Sequence, residues 1–228
     1  MIFDIITIFP NIFDSYFQES ILARARKKKL IKINVHNLRD FAKDKHKVID
    51  DKPFGGGIGM VMKIEPFYNA VSKIKAKNPK QKIKVVAFTP RAKKFNQKKA
   101  YQLSKLDRVI MLCGRYEGID ERISKIVDME LSIGDYVLMG GELPAMIITE
   151  TICRLIPGVI GKPRLLKERI PKVRGRGGRG FIEYPQYTRP EIFSPRKGVN
   201  WKVPKVLISG DHKKIQEWRE KRQKIVEK

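Results

Sequence analysis

The chain has 228 residues, with 49 Lys and Arg against 24 Asp and Glu and a formal net charge of +25. Hydrophobic residues make up 42% of it, enough for a real core in one large domain or in one medium and one small. No stretch reaches the ~18 uninterrupted apolar residues of a membrane helix. The charge excess points to a polyanion, nucleic acid above all, although a lysine-rich solvated surface would read the same way. The start lacks the charged and cleavable features of a signal peptide, so a cytoplasmic location without membrane attachment is expected. Cys113 and Cys153 sit inside apolar runs and read as free buried thiols of a reducing compartment. With three scattered histidines they form no zinc pattern, and no metal ligands are assigned.

Ile2–Phe9 is rich in β-branched residues and predicts a buried strand ended by Phe9-Pro10. Ile12, Phe13, Tyr16, Phe17, Ile21, Leu22 and Ala25 recur at helical spacing. Arg24 to Lys29 then holds five basic residues in six. Ile31, Ile33 and Val35 alternate with polar residues and predict a second strand. A helix between two strands suggests a βαβ unit and an α/β fold. Phe41 to Lys52 is charged and reads as a surface loop. Asp50 and Asp51 lead into Pro53-Phe54-Gly55-Gly56-Gly57-Ile58-Gly59-Met60. No strand precedes these glycines and no Gly-Lys-Ser/Thr follows, which excludes both the dinucleotide fingerprint and the P-loop.

Glu65–Ile74 predicts a helix, Ile83–Thr89 a strand, Asn96–Leu103 a helix, and Arg108–Leu112 and Ile126–Leu131 two more strands. Glu142–Ile156 predicts a helix with Leu143, Met146, Ile147, Ile148, Thr151, Ile152 and Leu155 on a broad apolar face. Glu150 and Arg154 are spaced for an i,i+4 ion pair. Lys162 to Arg179 carries eight basic residues against one acid, Glu168. Its Arg174–Gly180 run of arginines and glycines cannot form a core and suits RNA phosphates. In Phe181–Lys228, Tyr184, Tyr187 and Trp201 sit among Arg and Pro, either as stacking surfaces for bases or as anchors of a small helical core. Asp211 reads as a helix cap, with Ile215, Trp218 and Ile225 expected on one face of the final helix.

Two stretches concentrate chemistry. Ser132–Pro144 joins a strand to a helix through Gly134, Gly140 and Gly141. Such a loop lets a ligand approach bare amides near a helix start, though a Gly-Gly pair alone also fits a ligand-free turn. Leu112–Arg122 places Gly, Tyr and carboxylates where another strand ends, the usual ligand position in open α/β sheets.

These stretches, Gly114–Gly118 and Ser132–Pro144, resemble the bacterial tRNA (guanine-N1)-methyltransferase family of the SPOUT superfamily. The resemblance extends to Thr7-Ile8-Phe9-Pro10, Asn37-Leu38-Arg39-Asp40-Phe41, Asp50–Met62 and Tyr187-Thr188-Arg189-Pro190, and so covers nearly the whole chain. It implies an α/β domain with a deep trefoil knot at residues 1–161, a basic linker at 162–180, and a smaller, mainly helical tRNA-binding domain at 181–228. It also implies a homodimer whose active site lies between subunits, with the small domain of one chain covering the cofactor of the other.

By the same resemblance, S-adenosylmethionine is held bent among three loops. Thr89, Pro90 and Arg91 form the first, and Gly114, Tyr116 and Glu117 the second. The third contributes Ser132, Ile133, Gly134, Tyr136, Val137, Leu138, Gly140, Gly141 and Pro144. Asp50, Asp51, Gly57, Gly59 and Arg189 become candidates for binding the tRNA anticodon stem-loop. Family members depend on magnesium, for which no ligand cluster stands out here.

The implied reaction methylates N1 of the guanosine 3′ of the anticodon. That nitrogen carries a proton at neutral pH, so a base must remove it as the methyl arrives, and a cation near the guanine carbonyl would stabilise developing charge. The resemblance gives Arg154 the second role. The family's Asp-Ser-Phe segment, which holds its usual base, is missing, and alignment puts Glu168 in its place. The first loop also departs, with Thr-Pro-Arg-Ala where the family has Ser-Pro-Gln-Gly. These departures keep two other readings open: a SPOUT RNA methyltransferase with another target base, and an RNA-binding protein that has lost catalysis.

Overall fold

The computed structural model describes residues 1–161 and 182–225. The chain divides into two compact units, Met1–Pro163 and Arg164–Lys228.

The first unit is built on five parallel strands: β1 (Ile2–Thr7), β2 (Lys32–Asn37), β5 (Ile83–Phe88), β6 (Arg108–Leu112) and β7 (Met129–Leu131), in the order β2-β1-β6-β5-β7. Their alternation sorts side chains onto two apolar layers. Phe3, Ile5, Val86, Val109 and Met111 pack on one face with Phe13, Phe17, Leu22, Ala145, Ile148 and Ile152. Ile6, Val85, Ala87, Ile110 and Leu112 pack on the other with Leu38, Phe67, Val71 and Ile74. Helices α1 (Asp14–Phe17), α2 (Ser20–Lys27), α4 (Gln97–Leu103) and α5 (Glu142–Cys153) contribute to the first layer, and α3 (Ile64–Ala76) to the second. This three-layer arrangement is the α/β architecture the alternating elements imply.

One helix expected across residues 12–25 is a 3₁₀ turn (Pro10–Phe13) followed by α1 and α2, separated at Gln18-Glu19, with Ser20 at φ +53°. The buried residues run Phe13, Phe17, Leu22, Ala25, so a step of five instead of four marks the break. The strand expected at 126–131 is shortened to Met129–Leu131. On α5, Leu143 and Ile147 are exposed, whereas Glu142, Ala145, Thr149 and Cys153 are buried. Both cysteines are free and buried. The loop after β2 is ordered by Asp44, whose carboxylate accepts from the His46 and Val48 amides at 3.0 and 3.1 Å.

A buried polar cluster bolts β1, β2 and β6 together. Asp4, 1% exposed, accepts from Asn34 Nδ2 at 2.9 Å and from Arg108 Nη1, and lies 2.7 Å from His36 Nε2. Arg108 also donates to Gln81 Oε1 at 2.8 Å and Asn78 Oδ1 at 3.1 Å. Burial raises the Asp4 carboxyl, but hydrogen bonds to His36 and Asn34 and the Arg108 guanidinium outweigh it and leave the group below its ordinary value.

In the second unit, helix His212–Arg222 is capped by Asp211, which accepts from the Lys214 amide at 3.0 Å. A short helix, Lys205–Ile208, precedes it. The unit also holds an antiparallel hairpin, Ile192–Arg196 with Val199–Lys202, turning at Gly198 (φ +81°), and a short pair, Ile182–Glu183 with Lys224–Ile225. These strands lie beyond the mainly helical expectation. Ile225 belongs to one of them and not to the final helix. Tyr187 packs edge-on against Trp218 at 6.3 Å, and Arg219 lies 5.1 Å over Tyr184. Trp201 instead pairs with Phe193 at 5.7 Å on the exposed hairpin. Glu168 and the Arg174–Gly180 run lie outside the described residues. Among the described residues no helix is long and apolar enough to cross a membrane, and no group of three or more His, Cys, Asp or Glu could hold a metal ion.

Candidate active site

Parallel strands end together, and the loops leaving β5, β6 and β7 meet around a cavity of about 590 Å³. Thr89, Pro90 and Arg91 line it from the first loop, and Gly114, Tyr116 and Glu117 from the second. Ser132, Ile133, Tyr136, Val137, Leu138, Gly140, Gly141 and Pro144 line it from the third. Of the residues expected around the cofactor only Gly134 lies off the wall; its amide hydrogen-bonds Ser132 Oγ at 3.2 Å, holding the loop's shape.

The loops are tied to each other by backbone. The Gly141 amide donates to Gly114 O at 3.0 Å, and the Phe95 amide to Ser132 O at 2.7 Å. Gly141 has ordinary backbone angles; what demands glycine is space. A Cβ there would lie 2.7 Å from Cys113 Cα and 3.0 Å from Phe88. At Gly140 a Cβ would lie 2.4 Å from Arg115 Nε. The glycine pair is therefore what lets the third loop lie flat against the second.

Beneath it sits a residue that pattern reading missed. Glu142, 1% exposed, accepts from Thr7 Oγ1 at 2.7 Å and from Arg115 Nε at 2.9 Å. The Arg115 guanidinium also lies 4.9 Å over the Phe9 ring. Glu142 begins a largely apolar helix directly after Gly-Gly, and an acid there reads as a first-turn charge. Only the fold brings Thr7 and Arg115, distant in sequence, onto its two oxygens.

The glycine-rich segment forms a hairpin beside the cavity. β3 (Asp50–Asp51) pairs with β4 (Val61–Met62). The hairpin docks on the second loop, with Glu117 N donating to Met60 O at 3.1 Å and Met62 N to Gly118 O at 2.9 Å. Gly59 lies against Glu117, where a Cβ would come within 2.8 Å of its Cγ, and Gly57 sits at the exposed tip. Tyr116 takes φ +57°, and burial, then the Asp50 carboxylate, raises its phenol above the ordinary value. The structure thus brings Asp50, Asp51, Gly57 and Gly59 next to the cavity, while Arg189 belongs to the second unit.

Arg91 ion-pairs Glu121 at 3.0 Å, with both side chains 77% exposed; such a pair contributes no more than about 1 kcal/mol. Arg154 caps α5 and is exposed. The spaced Glu150–Arg154 ion pair is not formed among the described residues. Glu150 instead accepts from Tyr16 Oη, which pushes the Tyr16 phenol up to about 12.

The family profile of tRNA (Guanine-1)-methyltransferase TrmD matches residues 1–227. A tRNA (guanine-N(1)-)-methyltransferase of Dictyoglomus turgidum is 49% identical over 218 residues, 96% of this chain and 83% of that protein. One from Clostridioides difficile is 49% identical over 220 residues, 96% of this chain and 90% of that protein. The crystal structure of tRNA (m1G37) methyltransferase from Aquifex aeolicus superposes with a TM-score of 0.75 at 38% identity, over 96% of this chain and 87% of that one. With the family profile, the relatives and the solved structure all matching over nearly the whole chain, the chain belongs to the tRNA (guanine-N1)-methyltransferase TrmD family, of the SPOUT fold.

Proposed function

We propose that this chain transfers the methyl group of S-adenosylmethionine to N1 of the guanosine immediately 3′ of a tRNA anticodon, in the cytoplasm. The observation that carries the reading is the cavity walled by three strand-end loops and floored by Gly140 and Gly141. Its size and chemistry fit the donor: Glu117 and Glu130 on the wall suit a ligand with cationic centres. When bound, S-adenosylmethionine supplies an electrophilic methyl on a sulfonium. Pro144 and Leu138 add apolar surface to the wall. The trefoil knot implied by the family resemblance belongs to this reading.

Arg154, exposed at the end of α5, is free to face a guanine carbonyl and stabilise charge as N1 loses its proton. The base we assign is Glu168, one methylene longer than the family's Asp. As a carboxylate it could accept the N1 proton. Asp50, Asp51, Gly57, Gly59 and Arg189 are proposed to hold the anticodon stem-loop. Among the described residues no group of three or more His, Cys, Asp or Glu could hold magnesium.

A homodimer completes the site. Ile12, Tyr16, Leu143 and Ile147 are between 39% and 55% exposed, on the 3₁₀ turn, α1 and α5, elements that contact one another. A second copy would bury this face and bring its small domain over the cavity.

Labelled methyl transfer to a tRNA transcript with guanosine 3′ of the anticodon, beside a twin with adenosine there, tests the reaction. Methylation of the first alone is expected. Methylation of both assigns another target base. Methylation of neither, with cofactor binding intact, assigns an RNA-binding protein without catalysis.

A further inference from the structure

The cavity occupies one pole of the first unit, and the opposite pole has a charge character of its own. Because all five strands are parallel, the returns from α2, α3 and α4 arrive together at the amino ends of β2, β5 and β6. Those returns carry Lys28, Lys29, Lys32, Lys80, Lys82 and Lys105, all exposed. Backbone hydrogen bonds fix them along one edge. Lys32 N donates to Met1 O at 3.0 Å, Ile2 N to Asp107 O at 2.9 Å, and Asp107 N to Lys82 O at 3.1 Å. With strands about 4.8 Å apart, the edge from β2 to β5 spans about 14 Å. At ~3.4 Å per phosphate along one strand of a duplex, that is about four phosphates.

None of the six is in an ion pair among the described residues, whereas Lys43, Lys47, Lys63, Lys84 and Lys94 each have an acidic partner. The acids near this pole are already engaged. Asp107 accepts from the Lys82 amide at 2.8 Å, and Asp128 is bound by Lys84 Nζ at 2.9 Å and the Val85 amide at 2.8 Å. By contrast Glu117, Asp120, Glu121 and Glu130 line the cavity at the other pole. Helix C-termini favour a nearby cation, which accounts for one lysine per helix and not for six along an edge.

We propose that this lysine edge is a second RNA-contact surface, gripping phosphate backbone outside the anticodon loop. It rests on the reading of the chain as a tRNA-modifying enzyme and adds a contact remote from the reacting base. The phosphates belong to a distal arm of the tRNA being methylated.

The test is a variant of the full chain carrying Lys28→Gln, Lys32→Gln, Lys80→Gln, Lys82→Gln and Lys105→Gln, none of which touches the cavity. Affinities for a full-length tRNA transcript and for its isolated anticodon stem-loop are measured from low to physiological salt. Each lost phosphate contact removes about 0.7–0.9 from the slope of log affinity against log salt. The variant should therefore bind full-length tRNA with a slope shallower by about 2–4 and at least tenfold more weakly at low salt. Its melting temperature and S-adenosylmethionine affinity should be unchanged. A loss confined to full-length tRNA assigns a distal arm; an equal loss with the isolated stem-loop puts the contact on the anticodon arm itself and overturns the proposal. Unchanged slopes and affinities for both RNAs overturn the proposal, as does a wild-type chain that binds neither. Wild-type binding without methyl transfer would instead refute the proposed reaction and leave the lysine edge standing.

Discussion

Gly141→Ala isolates the packing of the two cofactor loops from any side-chain chemistry. The added methyl would lie 2.7 Å from Cys113 Cα and 3.0 Å from a Phe88 ring carbon. Cys113 is fully buried at the end of β6, so its backbone cannot step aside as a flexible side chain would. Relief must come from lifting the third loop off the second, which stretches the hydrogen bond from Gly141 N to Gly114 O, now 3.0 Å. Overpacking of this kind costs about 1–3 kcal/mol. Because φ at Gly141 is −84°, alanine is conformationally acceptable and returns some of that by stiffening the unfolded chain, roughly 0.4–1 kcal/mol. The remaining ~1–2 kcal/mol falls on the cofactor floor and should weaken S-adenosylmethionine binding five- to thirtyfold in calorimetry. At about 2–4 °C per kcal/mol, thermal stability should drop by only a few degrees. Gly210→Ala is unsuitable at φ +74°, so Gly161→Ala is the control, since nothing among the described residues lies within 4 Å of its missing methyl. Wild-type cofactor affinity in Gly141→Ala would refute the close-approach argument.

Glu142→Ala leaves the Arg115 guanidinium and the Thr7 hydroxyl facing a cavity. A drop of about 3–5 kcal/mol is expected in denaturant unfolding, and Glu142→Gln, which keeps one acceptor, should lose less. Asp4 titrates below its ordinary value in the folded chain, so its stabilisation is present above pH ~4 and is lost as pH falls through the lowered value. Unfolding free energy measured from pH 6 to pH 3 should fall in the wild type. Asp4→Asn should remove that component while destabilising the neutral-pH protein by leaving Arg108 unpaired. Glu168→Gln should abolish methyl transfer and spare S-adenosylmethionine binding; retained turnover removes Glu168 from the mechanism.

Strands were the easiest elements to read. β5 and β6 are short, β-branched runs bounded by charge, and a parallel sheet covered on both faces needs continuous apolarity that leaves little room for another interpretation. Helical periodicity was less decisive. From Ile12 to Ala25 the apolar phase survives a complete break at Gln18-Glu19, because both pieces present their apolar sides to the same sheet face. On α5 the period fails for the opposite reason: the helix is apolar nearly all round, so spacing alone cannot separate the sheet-facing Ile148 and Ile152 from the exposed Leu143 and Ile147.

The loops carry more identity than the periodic elements, and the reason is geometric. Gly140 is crowded by Arg115 and Glu142, Gly141 by Cys113 and Phe88, and Gly59, at φ +95°, by Glu117. A requirement for no side chain at one point leaves a glycine that can be read directly in the sequence. Glu142 obeys a different rule. Its two partners, Thr7 and Arg115, lie 135 and 27 residues away, and no local pattern encodes a contact that exists only after β1 and β6 pair. A buried carboxylate held from two strands by a hydroxyl and a guanidinium makes the cofactor floor depend on the sheet's register. A one-residue slip of β1 would turn Thr7 to the opposite face and empty one side of Glu142. Folding of the sheet and formation of the cavity floor are therefore coupled, and destabilising changes at β1 should weaken the proposed S-adenosylmethionine binding even though Thr7 lies outside the cavity wall.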